Sequence, residues 1–202
     1  MGRSKYIKKW LLGLLIALTL GCFMVLYSYL SWESVHMPLL RFSAPDEQAN
    51  YFFTKLFVQQ SVLVYPEPLL EVSQDFVNTR SMTASLGEVK PVGFLGFALI
   101  YGTLAKIFSV GAIPFFTPVL SVLAALFFYS AIKRIFNKKI ALVSSVLLLV
   151  HPAYWYYSSR ALMPNVLFLD LLIIGLSLLV IASPKERTPK YISTILYLKA
   201  IT

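Results

Sequence analysis

An all-α, polytopic membrane bundle is the fold class this sequence predicts, and three observations carry it. The 202-residue chain is 58% hydrophobic and 13% charged, with a mean hydropathy of +0.73. Soluble domains hold about 25% charged residues, so a core built by excluding water is the wrong frame. Apolar runs recur at close to the ~20 residues that a helix needs to cross a bilayer. Basic residues gather at the ends of those runs: Arg3, Lys5, Lys8 and Lys9; Lys133, Arg134, Lys138 and Lys139; Lys185, Arg187 and Lys190. The net charge of +9 therefore speaks of topology, and a nucleic-acid partner is rejected. Cys22, the only cysteine, lies in an apolar run, which leaves no disulfide framework and no thiolate metal site. His36 and His151 stand alone and make no zinc motif.

The first span is 10–30, directly after "RSKYIKK". A signal peptide has an apolar part of only about 7–15 residues ending in small residues. This run is longer and ends "LYSYLSW", so it reads as an uncleaved anchor with a cytoplasmic N-terminus. Further apolar segments cover 91–108, 112–132, 140–157 and 162–182. A last one opens at 191 and stops short of a span, so the chain reads as an N-terminal portion of a longer protein.

Segment 91–108 decides the topology. If it crosses, the basic loops 133–139 and 183–190 fall outside and break the positive-inside rule. If it lies on or dips into the outer surface, both loops fall inside with the basic N-terminus. Gly93, Gly96 and Gly102 weaken it as a spanning helix, and Lys106 sits near its end. The second arrangement is adopted. It gives a tail and anchor over 1–31, an outer loop over 32–110, and spans with short turns over 111–202. Seven of the nine acidic residues (Glu33, Asp46, Glu47, Glu67, Glu71, Asp75, Glu88) fall in that outer loop. On composition alone this is the ordinary charge enrichment of any soluble loop.

Within the loop, "SAPDEQANYFF" (43–53) holds adjacent carboxylates behind a proline. Ser43 suits a helix cap, Pro45 the first turn, and Asp46 and Glu47 the positive helix end. Ala49, Phe52, Phe53, Leu56 and Phe57 then recur as one apolar stripe, with Asp46, Asn50 and Thr54 on another face. The pattern predicts a helix over about 45–60 lying on the outer membrane surface, with its carboxylates at headgroup level. From the residues alone, first-turn helix carboxylates and catalytic carboxylates are equally good readings of the pair.

"PDEQANYFFTKLF" followed by "GEVKPVGFLGFALIYGTLAKIFS" resembles the start of the GT-C glycosyltransferases, particularly the protein mannosyltransferase and aminoarabinose transferase-like group. In that group an Asp–Glu pair opens the first outer loop, and a Glu-Lys-Pro-like element begins a later juxtamembrane helix. Here that element is Glu88-Val89-Lys90-Pro91, with a valine inserted. The stretch 127–174, "FFYSAIKRIFNKKIALVSSVLLLVHPAYWYYSSRALMPNVLFLDLLII", is also similar to the family.

The resemblance implies a multi-pass plasma-membrane enzyme of the cell envelope. It would move a hexosyl or pentosyl group from a polyprenyl-phosphate-linked donor in the lipid bilayer to an acceptor on the outer face, and this fragment need not be active alone. Asp46 is implied as general base or acceptor-orienting carboxylate and Glu47 as its partner. Lys90 and Arg160 are implied at the donor phosphate. Glu88 is implied in holding a divalent cation, Mg2+ or Mn2+. Asn165 stands where many relatives carry an acid; it can hydrogen-bond a sugar but cannot be a base. Ordinary readings exist for each: Lys90 as a lysine flanking an interfacial segment, Arg160 as a snorkelling arginine. Tyr154, Trp155, Tyr156 and Tyr157 read as an interfacial aromatic belt. Asp170 lies inside a span, where a charge is costly and usually faces protein or water. It is the one feature favouring the alternative of a transporter or lipid-scrambling protein; an inactive remnant is the third reading.

Overall fold

The computed structural model describes residues 2–36, 42, 44–73 and 80–184. The cap read for Ser43, the acid Asp75, most of the basic loop 183–190 and the run from 191 lie outside them. Helices α1 (Gly2–His36), α5 (Ile113–Ile135) and α8 (Pro164–Ala182) are long and apolar enough to cross a membrane. Helices α6 (Lys138–Val150) and α7 (Pro152–Ser158) meet at a 63° bend and make a fourth span if read as one. The bend falls at His151–Pro152, where proline supplies no amide donor to continue the helix.

Helix α5 is the centre of the bundle; α1, α6 and α8 all pack on it. Its buried residues include Thr117, Ser121, Ala124, Ala125 and Ala131, and such small side chains let helix backbones approach where no water drives them together. Pro118 sits inside α5. Lacking an N–H, it leaves the carbonyl of Pro114, one turn earlier, without its helical donor. Ser31 of α1 fills the gap, its buried hydroxyl donating to that carbonyl at 2.7 Å. Tyr27, one turn back on the same face, donates to the Leu149 carbonyl at 2.5 Å, so α1 is tied to two neighbours through backbone acceptors. At the far end of α5, Lys133 and Arg134 fall in the last turn, where cations suit the helix dipole. Asn137 then caps α6, accepting from the amides of Lys139 and Ile140.

Between α1 and α5 lies a compact loop subdomain. Helix α2 (Pro45–Gln60) packs on α4 (Leu95–Ile107) and on a three-stranded antiparallel sheet in the order β1 (Tyr65–Pro66), β3 (Glu88–Pro91), β2 (Met82–Ser85). Short helix α3 (Pro68–Val72) follows β1. The β2–β3 hairpin turns on Leu86 and Gly87, both at positive φ (54° and 73°), as a tight two-residue turn requires.

Three sequence expectations change here. The residue at the α2 N-cap is Ala44, with no side-chain cap. The segment expected to be helical from Pro91 begins as strand, because Pro91 pairs with Met82 and α4 starts only at Leu95. Thirteen residues of α4 reach about 20 Å, too short for a ~30 Å hydrocarbon core. Finally, the α2 stripe is covered by protein rather than by lipid alone. Phe53 and Leu56 are buried with Leu70, Val89 and Ala98, and the Phe57 ring lies over Gly102, where even a methyl group would sit 2.5 Å from it. Thr54, expected on the polar face, is buried as well.

Candidate active site

Successive helical residues point about 100° apart, so the Asp46–Glu47 pair is divided between two environments. Asp46 is exposed on the first turn of α2 and accepts a hydrogen bond from the Ser81 hydroxyl. It lines a cleft of about 220 Å³ whose other polar walls are Asn50, Ser81 and Asn165, with Phe94 and Met163 among the apolar ones. Glu47 turns inward and is wholly buried, and its Oε2 accepts from Arg160 Nη1 at 3.0 Å.

Arg160 comes from the turn between α7 and α8. Its guanidinium lies 4.2 Å over the Tyr156 ring and donates through Nη2 to the Tyr156 hydroxyl at 2.5 Å. The same turn is gripped twice more. Asn50 donates to the Leu162 carbonyl at 3.0 Å, and Thr117 donates to the Ala161 carbonyl at 2.7 Å. Because the Thr117 proton is committed there, Tyr101 of α4 must donate to Thr117 Oγ1 at 2.7 Å. Burial pushes the Tyr101 phenol well above its usual range, which keeps it a donor. Helices α2 and α5 thus hold the turn that delivers Arg160, α4 backs Thr117 through Tyr101, and Asn165 follows in the first turn of α8.

Lys90 and Glu88 are placed elsewhere. They share one face of β3, pair with each other at 2.8 Å, and are not among the residues lining the cleft. The described residues around Glu88 do not fit a divalent cation: its carboxylate holds an ammonium, and no group of three acidic, histidine or cysteine side chains forms among the described residues. Asp170 lies away from the cleft, fully buried and hydrogen-bonded by Ser121 Oγ and the Tyr154 hydroxyl, both at 2.7 Å.

The structure brings Asp46 and Asn165 to one cleft, sets Glu47 and Arg160 together behind it, and leaves Lys90 and Glu88 on the sheet. Sequence reasoning gave no role to Ser81, which comes from a distant loop and carries no motif. Tyr156, read as part of a belt, is the platform under Arg160; its i, i+4 spacing to Arg160 was the available signal.

A family model described as dolichyl-phosphate-mannose-protein mannosyltransferase matches residues 91–200, more than half of the chain. The match takes in Arg160 and Asn165 and stops short of Asp46, Glu47 and Lys90. No curated protein and no solved structure matches the chain.

Proposed function

The chain belongs to the dolichyl-phosphate-mannose-protein mannosyltransferase family, membrane glycosyltransferases of the GT-C type, and from that premise we propose a polyprenyl-phosphate-linked sugar donor and Asp46 as general base. The observation that carries this reading is the division of the acidic pair. One carboxylate is exposed in a polar cleft, and its neighbour is buried against the arginine of the turn that forms the opposite wall.

In the reaction, Asp46 takes the proton from the acceptor hydroxyl as its oxygen attacks the anomeric carbon. The bond between that carbon and the phosphate oxygen breaks, and the lipid phosphate leaves with the electron pair. Ser81, donating to Asp46, orients the carboxylate, while Asn50 and Asn165 offer amides to sugar hydroxyls. Glu47 positions Arg160 rather than taking a proton. Lys90, half-buried and two residues before the cleft residue Val92, exchanges Glu88 for the donor phosphate.

The cleft faces outward in this proposal. The α5–α6 turn, with Lys133, Arg134, Lys138 and Lys139, lies at the opposite end of α5, and positive-inside charge assigns that end to the cytoplasm. The Arg134 guanidinium also donates to the Ser183 carbonyl, which brings the end of α8 to the same side.

The test is Asp46→Asn in the full-length, membrane-inserted protein, with transfer from a polyprenyl-phosphate sugar measured per mole of folded protein. Loss of a general base costs about 10²–10⁴-fold in rate. Losing a first-turn helix carboxylate costs only about 0.3–1 kcal/mol of stability. Turnover within a few-fold of the parent would leave Asp46 as nothing more than a helix-end carboxylate.

A further inference from the structure

Asp170 sits six residues into α8, roughly 9 Å along the helix from Pro164, and is completely enclosed. Three oxygen–oxygen contacts form one cluster here, two of them to Asp170 itself. Ser121 Oγ donates to Asp170 Oδ2 at 2.7 Å; the Tyr154 hydroxyl lies 2.7 Å from Asp170 Oδ1 and 2.8 Å from the Ser121 carbonyl oxygen. Ser121 and Tyr154 bring one proton each. If Asp170 is ionised, three close contacts share two protons, and the single Tyr154 hydrogen must be split between two acceptors or leave one of them facing the oxygen bare. A third proton, on Oδ1, closes the count. Asp170 then donates to Tyr154, Tyr154 donates to the Ser121 carbonyl, and Ser121 Oγ donates to Oδ2. Among the described residues no lysine, arginine or histidine forms an ion pair with Asp170. An ionised carboxylate at this depth would be costly and uncompensated.

We propose that Asp170 holds its proton and, as a neutral carboxylic acid, is a positioning residue that locks α7 to α5 and α8 through Tyr154. The geometry beyond it is short. Tyr154 is the buried anchor of α7, Tyr156 two residues on stacks under Arg160, and Arg160 meets Glu47. The protonation state and the hold on α7 are independent of the transferase reading; only the consequence for turnover rests on it.

Asp170→Asn is the informative variant, because an amide reproduces a neutral acid: Nδ2 donates where the acid proton did, and Oδ1 accepts from Ser121. Asp170→Ala removes both bonds. Three measurements on the full-length protein in liposomes test the proposal. The infrared band of a protonated carboxylic acid should be present in the parent and gone in Asp170→Asn; an unchanged band overturns the protonation. The emission of Trp155, which packs edge-on against Tyr27 and Phe23, is read in a background where every other tryptophan of the protein, Trp10 and Trp32 included, is replaced by Phe. It should shift in Asp170→Ala and stay put in Asp170→Asn, and an asparagine variant that behaves like alanine overturns the neutral-acid role. Transfer should fall at least about tenfold in kcat for alanine and stay within about threefold for asparagine, as expected when buried partners are orphaned or kept. Unchanged transfer in the alanine variant, despite a shifted Trp155, would overturn the link to Arg160. A parent that transfers nothing would sink the transferase reading alone, and the band and the emission would still decide the rest. If Asp170→Ala fails to insert, the band and the asparagine variant carry the decision.

Discussion

Replacing Glu47 with glutamine should expose the energetic weight of the pair behind the cleft. The Glu47 side chain is 0% exposed and that of Arg160 14%, so neither charge is screened as a surface pair would be. Removing one partner of a buried ion pair typically costs about 3–5 kcal/mol, because the other charge stays behind uncompensated. Arg160 keeps the Tyr156 ring and hydroxyl and has a little solvent access, which puts the expected loss at the lower end, about 3 kcal/mol. That is roughly two orders of magnitude in the folded-to-unfolded ratio. The assay is a double-mutant cycle on thermodynamic stability in bilayers or detergent, with Glu47→Gln, Arg160→Gln and both together. The double variant buries no charge and should be less destabilised than the sum of the single variants by at least about 1 kcal/mol. Single effects that simply add would mean that the two groups do not interact in the folded protein, and Arg160 would lose its positioning partner.

Other outcomes follow from the same geometry. Lys90→Ala should raise the KM for the lipid-linked donor severalfold while Lys55→Ala, on α2 and away from β3, leaves it alone; equal effects would remove the reason to single out Lys90. Ser31→Ala should cost about 1 kcal/mol by orphaning the Pro114 carbonyl, and Pro118→Ala in the same chain should recover most of it by restoring the amide that carbonyl lacks. Failure of that rescue in a thermal unfolding assay would show that Ser31 matters for another reason. Cysteines placed at Ser73 and Asn137 should label from opposite sides of the membrane, Ser73 from outside, and labelling of Asn137 from outside would invert the orientation proposed above.

Hydropathy alone marks α1, α5 and α8, because a span must be apolar for its whole length. The stripe through Ala49, Phe53 and Leu56 marks α2, because a helix needs one covered face. What covers that face was not legible. The pattern is equally suited to lipid, and only the fold shows α4 and β3 against it. The small sheet escaped because its strands hold two to four residues each and include Pro66, Lys90 and Pro91, which carry little strand propensity. Gly87 did signal a turn, but Leu86 beside it is a poor occupant of a positive-φ position, so the hairpin had half its signature. The site split along the same line. Asp46 stood out by its place in a helix start, whereas the burial of Glu47 depends on an arginine 113 residues away. No local pattern encodes such a distance.

The bend at His151–Pro152 has a consequence for the lipid itself. Thirteen residues of α6 rise about 20 Å, and the seven of α7, turned 63° away, add only about 5 Å along the same direction. Read as one span, the pair reaches about 25 Å against a hydrocarbon slab of ~30 Å. A protein wall shorter than the bilayer it borders is met by thinning of the adjoining leaflets or by tilt of the wall. Bilayer bordering such a wall would be thinner than the bilayer beside the longer helices α1 and α5.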